Sequence, residues 1–352
     1  MNIVLDNIVY ALQNAGGIST YWYELSKRFM RQDEVDTYFV EFGTEKNNIQ
    51  RKLLDIGEGH ILRADKGGLF LQRFKRIDTG RVQSDGIFHS SYFRVPRKAS
   101  GIKSICTVHD FTHDYFFPGP RAWLHNFAKR RAVLESDAII AVSDNTRKDI
   151  LKFYPGISPE KIHVIYNGVA EEFKRLNRGR EHSGAPFFLF VGSRDKYKNF
   201  DFSVDLAAAC TGFELKVVGK DLTKEETAML NKKLPGRYSL RKNISIEALN
   251  ELYNTAYCLL YPSSYEGFGI PLAEAMRAGC PFIALNASSI PEVAGDAGIL
   301  LNKLDLTDGI KAVDRIKQDR AGLMEKGLVQ SNKFSWDKCF GETYQLYKNT
   351  MG

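Results

Sequence analysis

The chain has 352 residues, 43% of them hydrophobic and 26% charged. This is the balance of a folded globular protein of about two domains, not of a disordered, collagen-like or polytopic membrane chain. Lys and Arg number 49 against 42 Asp and Glu, a formal net charge of +7, which suits anionic partners such as phosphates or acidic lipid surfaces and does not by itself indicate nucleic acid.

The opening MNIVLD reads as a first β-strand, with Ile3–Leu5 at its centre. It has no basic stretch ahead of it and meets an acid at Asp6, unlike a signal peptide. Strand-like apolar runs follow at Thr37–Phe42, Ile87–His89, Ser104–Val108, Ala138–Val142 and Lys161–Ile165. Between them lie helical patterns, for instance Ile18–Met30, Arg121–Leu134 and Asn145–Phe153. Such alternation predicts a parallel sheet with helices on both faces. Tyr166 to Pro186 is polar and Gly-containing, as expected of a hinge or linker. The alternation then restarts, with strands at Phe187–Val191, Glu214–Val218, Tyr257–Tyr261 and Pro281–Leu285.

A helix is predicted over Ile270–Ala278, stopped by Gly279, and Ser289-Ile-Pro-Glu292 has the pattern of a capping box. The last segment, Trp336–Thr350, is amphipathic, with Trp336, Cys339, Phe340, Tyr344 and Tyr347 near one face. The expected fold class is α/β: two Rossmann-like parallel-sheet domains facing across a cleft, at residues 1–170 and 171–335, followed by a helix at 336–352. No apolar run is long enough to span a bilayer, so any membrane contact would be peripheral. The five cysteines are dispersed and form no CxxC pair, which predicts free thiols of a reducing cytoplasm rather than disulfides or a zinc knuckle.

Ligands of open parallel sheets bind at the carboxyl ends of strands, so the chemistry is sought in strand-to-helix loops. Tyr265-Glu-Gly-Phe-Gly-Ile-Pro-Leu-Ala-Glu274 follows a strand and opens a helix. Gly267 and Gly269 leave backbone N–H groups accessible, and the helix start favours an anion. Glu266 and Glu274 would repel a phosphate but accept hydrogen bonds from hydroxyls on either side of it. Hydroxyl-rich parts flanking a phosphate describe a nucleotide sugar. Leu272 stands where a third glycine would complete GxGxxG, which disfavours a nicotinamide site.

A second loop, Val191-Gly-Ser-Arg-Asp-Lys-Tyr-Lys-Asn199, places Arg194 and Lys198 where they can neutralise a diphosphate. Gly16-Gly17 opens the first long helix and permits close approach of a phosphate. His109 ends a strand beside Asp110. His113 follows one helical turn later, but no third ligand accompanies the pair, so no metal site is expected. Basic clusters at Arg73-Phe-Lys-Arg76, Arg94-Val-Pro-Arg-Lys98 and Lys129-Arg-Arg131, with aromatics including Trp123 and Phe127 nearby, suit an anionic membrane surface or a lipid-pyrophosphate acceptor.

The string Pro262-Ser-Ser-Tyr-Glu-Gly-Phe-Gly-Ile-Pro-Leu-Ala-Glu-Ala-Met-Arg-Ala-Gly-Cys-Pro281 resembles the donor-site signature of the retaining family-4 glycosyltransferases with the GT-B fold. The likeness extends over nearly the whole chain, through Gly16-Gly17-Ile18, His109-Asp110, Ser143-Asp-Asn-Thr, Tyr166-Asn-Gly-Val and Pro291-Glu-Val-Ala-Gly.

The resemblance implies that Glu266 holds donor-sugar hydroxyls and Glu274 the nucleotide ribose, while the backbone of Gly267, Phe268 and Gly269, with Leu272 beside it, faces the diphosphate. Gly16 and Gly17 would face the diphosphate too, and His109 would orient the reacting centre. The family's usual Arg after the strand glycine is here Ser193, with Arg194 one position later, whereas Lys198 keeps the family spacing. The final helix would cross back to the N-terminal domain, which would bind the acceptor.

The expected activity is retaining transfer of a hexose, mannose-like or related, from a nucleoside-diphosphate sugar to a glycan or lipid-linked oligosaccharide in surface-polysaccharide (O-antigen or capsule) synthesis. It would proceed without metal or other cofactor, since no Asp-x-Asp triplet occurs. The setting would be the cytoplasm or the inner face of the membrane. A nucleotide-sugar epimerase of the same fold and a non-catalytic sugar-nucleotide-binding subunit are the alternatives.

Overall fold

The computed structural model describes residues 1–64, 68–80, 82, 86–97, 101–176 and 184–352. The chain forms two units: Met1–Gly168 together with Trp336–Gly352, and Val169–Ser335. In the first, the strands are β1 (Asn2–Asp6), β2 (Asp36–Glu41), β3 (Ile61–Arg63), β4 (Gly86–Ser90), β5 (Lys103–Val108), β6 (Ala138–Ala141) and β7 (Ile162–Val164). They make one parallel sheet in the order β3-β2-β1-β4-β5-β6-β7. In the second, β8 (Phe187–Val191), β9 (Glu214–Val218), β10 (Tyr238–Arg241), β11 (Cys258–Tyr261), β12 (Phe282–Leu285) and β13 (Ile299–Leu301) form a parallel sheet in the order β10-β9-β8-β11-β12-β13.

Both sheets carry a topological switch, between β1 and β4 and between β8 and β11, the place where successive loops diverge and leave a binding crevice. The central strands are covered on both faces. Ile3, Val4 and Leu5, like Phe187, Phe188 and Leu189, are fully buried, as continuous apolar runs of parallel sheets require. Three strands were not predicted from the sequence: β3, β10 and β13. All three lie at sheet edges, and β3 and β10 are only partly buried, so their sequences carry little apolar signal.

The segment expected as a hinge is partly laid down on the second unit. Val169 and Phe173 are buried, and the N–H groups of Lys174 and Leu176 donate to Asn250 and Asn254 at 3.1 and 2.8 Å. Residues 177–183 of that segment lie outside the described residues.

The last helix, Trp336–Met351, packs into the core of the first unit, where Tyr347 stacks on Phe29 with ring centroids 5.0 Å apart. Gly168 admits this helix: a Cβ there would come within 2.3 Å of the Trp336 backbone nitrogen. All five cysteines are free, four of them buried. Among the described residues no helix is long and apolar enough to cross a membrane.

Candidate active site

In the second unit, three loops at strand carboxyl ends are sewn together. After β8, Gly192 turns the chain with φ +129°, and a short helical turn at Lys196–Lys198 ends at Asn199 in the left-handed region, φ 50°. The Asn199 side chain compensates for that strained backbone by donating to Pro262 O at 2.7 Å and Ser264 Oγ at 2.8 Å in the loop after β11. The N–H of Ser264 donates to Tyr197 O at 2.7 Å. After β12, Ser288 (φ 51°) accepts the N–H of Glu266 at 2.8 Å. The hydroxyl of Ser289 reaches the carbonyls of Glu266 and Phe268, both at 3.0 Å. The expected capping box is therefore not formed: Ser289 makes no side-chain cap bond and spends its hydroxyl on the loop that presents Glu266.

This stitching sets Lys198 Nζ 2.6 Å from Glu266 Oε1, both side chains mostly shielded, at 16% and 12% exposure. The ammonium also lies 5.8 Å from the ring centre of Tyr261. A cation joined to a carboxylate at the switch point can meet a phosphate with one partner and sugar hydroxyls with the other.

Gly269, with φ +103°, caps the helix Ile270–Arg277 without a side-chain cap bond, and Pro271 occupies the first turn, where no N–H is needed. One turn further, Glu274 accepts from the Tyr253 hydroxyl at 2.9 Å. Burial raises its carboxyl to about 7, although the Tyr253 hydrogen bond opposes the shift.

Several expected contacts take other roles. The Arg194 side chain is 6% exposed and bonds Glu226 at 2.9 Å and the carbonyls of Lys220 and Asp221 at 3.1 and 2.6 Å. It ties the loop to the helix Lys224–Lys233 instead of pairing with the Lys198–Glu266 couple. Ser193 is exposed. Leu272 is fully buried and its N–H is held by Gly269 O at 3.0 Å, so neither group is offered to a ligand. Phe268 is buried edge-on against Phe334, with centroids 5.3 Å apart. Gly267 is half-buried.

In the first unit, Gly16 caps the helix Gly17–Phe29 with no side-chain cap bond, leaving the first-turn N–H groups to an outside acceptor. A Cβ on Gly16 would press on Gln13 Oε1 at 2.8 Å. His109 follows β5, half-buried, with its ring 4.9 Å from that of Tyr21 in a T-shaped contact. Burial lowers its pKa to about 4, so it is a neutral imidazole at pH 7.

The basic clusters are largely spent. Arg94 is buried in an ion pair with Asp6, Lys129 is buried with Asp114, Arg76 pairs with Glu135 at 2.7 Å, and Lys98 lies outside the described residues. Lys75, Arg97 and Arg130 stay exposed, and two aromatics face solvent as well: Trp123 at 67% and Phe127 at 49% exposure, one turn apart on the helix Pro120–Glu135.

The residues missed from the sequence are Asn199, Ser288, Ser289 and Tyr253. The Asn199 and Ser288 side chains matter because left-handed backbone brings them across to neighbouring loops, and no local pattern announces that.

Comparisons with known proteins bear on the family and the fold. The family described as Glycosyltransferase Family 4 matches residues 15–173, and that described as Glycosyl transferases group 1 matches residues 172–327. The O-antigen chain mannosyltransferase B of Escherichia coli is 28% identical over 291 residues, covering 76% of this chain and 75% of the relative. A serotype-specific mannosyltransferase WbdA of Escherichia coli is 25% identical over 278 residues, 70% of this chain but only 34% of the larger relative. The solved structure of Anabaena HepE in complex with UDP-glucose superposes with a TM-score of 0.76 at 16% identity, covering 99% of this chain and 100% of that one. With two parallel-sheet α/β domains and matches to both halves of the family's pattern, the chain belongs to the family-4 glycosyltransferases of the GT-B fold.

Proposed function

We propose that this glycosyltransferase moves a hexose, with mannose the favoured sugar, from a nucleoside-diphosphate sugar to a hydroxyl of a growing glycan or lipid-linked oligosaccharide in surface-polysaccharide synthesis, with retention at the anomeric carbon. The Lys198–Glu266 pair carries the reading: a 2.6 Å cation–carboxylate couple held at the β8/β11 switch point by three cross-linked loops. Mannose is favoured by the curated relatives' names. A UDP-sugar is the alternative donor, because a structural neighbour holds UDP-glucose.

In this reaction the bond from the anomeric carbon to the β-phosphate oxygen breaks, and its electron pair stays on the phosphate. Lys198 stabilises that charge, with the backbone of the Gly267–Gly269 loop and the start of the following helix facing it. The acceptor oxygen bonds the anomeric carbon on the same face, and its proton passes to the departing phosphate. Glu266 holds sugar hydroxyls, Glu274 holds the ribose, and neutral His109 orients the sugar without taking a proton. Contact of the exposed Trp123 and Phe127 with a lipid surface would bring a lipid-linked acceptor within reach.

Thermal-shift measurements with GDP, UDP, GDP-mannose and UDP-glucose test the donor assignment. One of these stabilises the wild type by several degrees at saturating concentration, and Glu274→Ala weakens that shift. Lys198→Ala lowers turnover about 10²–10³-fold. No stabilisation by any of the four, or full turnover in both variants, would sink the reading.

A further inference from the structure

Beneath His109, on the sheet face covered by the helices Gly17–Phe29 and Trp336–Met351, lies a chain of buried polar side chains that the proposed reaction does not use. His89, on β4, is fully buried. Its Nδ1 bonds the hydroxyl of Tyr347, on the last helix, and its Nε2 bonds Thr107 Oγ1 at 2.8 Å. Thr107, on β5, bonds the hydroxyl of Tyr21 at 3.1 Å. The ring of Tyr21 in turn meets His109, with centroids 4.9 Å apart and planes at 83°. Trp22 closes the other side of His89, with centroids 4.9 Å apart, and is itself fixed by donating from Nε1 to Asn7 Oδ1 at 2.8 Å.

Four polar groups in a dry core stabilise less than apolar side chains of the same shape would, because each must be desolvated and none can lose its partner without a penalty. What such a chain supplies is one fixed arrangement. A neutral imidazole donates through one nitrogen and accepts through the other, so His89 bonds both hydroxyls at once only in a single tautomer at a time, and its ring cannot rotate freely. Thr107 therefore holds the Tyr21 hydroxyl in place, and the Tyr21 ring then sets the tilt of His109.

We propose that Tyr21 is a positioning residue for His109, and that the C-terminal helix locks it through Tyr347, His89 and Thr107. The last helix would thus be part of the active-site scaffold and not only a closing strap. The proposal rests on the reading of His109 as the group that orients the donor sugar.

The test compares wild type, Tyr21→Phe, Tyr347→Phe and the double variant, all of which keep the packed rings. Three properties are read: the ring nitrogen and proton resonances of His109 by NMR, kcat and KM with GDP-mannose and UDP-glucose as donors, and the melting temperature. Both single variants are expected to shift or broaden the His109 ring signals and to lower kcat about tenfold with donor KM within twofold. The double variant is expected to be no worse than either single one, because both act through the same contact.

Unchanged His109 signals, or additive kcat losses that follow the melting temperature, would overturn the proposal and leave the chain a purely structural feature. His109→Ala separates the two claims. If it retains full turnover, the catalytic reading of His109 fails, while the resonances still decide whether Tyr21 and Tyr347 position its ring.

Discussion

Glu274 is the residue at which the second domain becomes pH-sensitive. Its carboxyl stands at about 7 because burial penalises the charged form more than the Tyr253 hydroxyl favours it. The ionised carboxylate is the stronger acceptor for ribose hydroxyls. Between pH 6 and 8 its ionised fraction rises from about a tenth to about nine-tenths. The dissociation constant of the preferred nucleoside diphosphate is therefore expected to fall as pH rises through 7, and to change less over that range in Glu274→Gln, where only the ligand's own terminal phosphate titrates. Calorimetric titration at pH 6, 7 and 8 measures this, and equal slopes in both proteins would remove Glu274 from the nucleotide site. Lys198 and Glu266 act differently. They are made useful by position, which is set by Asn199, next to Lys198 in the chain, and by Ser288 and Ser289 in the loop after β12.

The helix Pro120–Glu135 shows how an element can reassign a surface. Lys129 turns inward to Asp114, Arg131 donates to Phe74 O at 2.7 Å and Glu135 pairs with Arg76, while Arg130 stays exposed. Trp123 and Phe127, their rings 6.0 Å apart, are left in solvent. Aromatic side chains one turn apart on an otherwise charged helix suit the interfacial zone of a bilayer. Burying one such ring contributes about 1.5–3 kcal/mol, so replacing both with Ala is expected to weaken partitioning onto anionic phospholipid vesicles by more than about tenfold. Nucleotide affinity should be unchanged. Co-sedimentation at matched salt measures the effect, and equal binding by the variant would return these rings to ordinary surface.

Across the whole molecule, the buried histidines of the first domain and Glu274 of the second respond to acid in opposite directions. In the first, burial lowers His89 and His125 to about 3 and His109 to about 4. The unfolded chain protonates them near 6.5. Their contribution is thus fully present above about 6.5 and is lost as pH falls towards 3. In the second domain, Glu274 has the reverse sign, because its raised value stabilises below about 4.5 and that stability is lost as pH rises to about 7. All three tryptophans, Trp22, Trp123 and Trp336, belong to the first unit, so their fluorescence follows that unit alone. The Trp-detected melting temperature is expected to drop between pH 7 and pH 5. A melt that is flat or rises over that interval would contradict the neutral, buried state of these histidines.

The alternation of apolar runs and amphipathic stretches was enough to predict two parallel α/β sheets, because central strands are buried on both faces and must be apolar throughout. The loop glycines, Glu266, Glu274 and Lys198 could be proposed as site residues for a similar reason: chemistry at strand ends needs particular residue types at short range. Edge strands such as β10 and the inward turn of Arg194 were not visible, since each depends on which neighbours happen to cover it. Leu272 and Arg194 read as ligand contacts in one dimension; in the fold Leu272 is buried and Arg194 bonds Glu226 and the carbonyls of Lys220 and Asp221, contacts that no local pattern announces. The chain from Tyr347 through His89 to His109 joins side chains more than two hundred positions apart in sequence, and only the folding of the sheet under both helices could bring them into line.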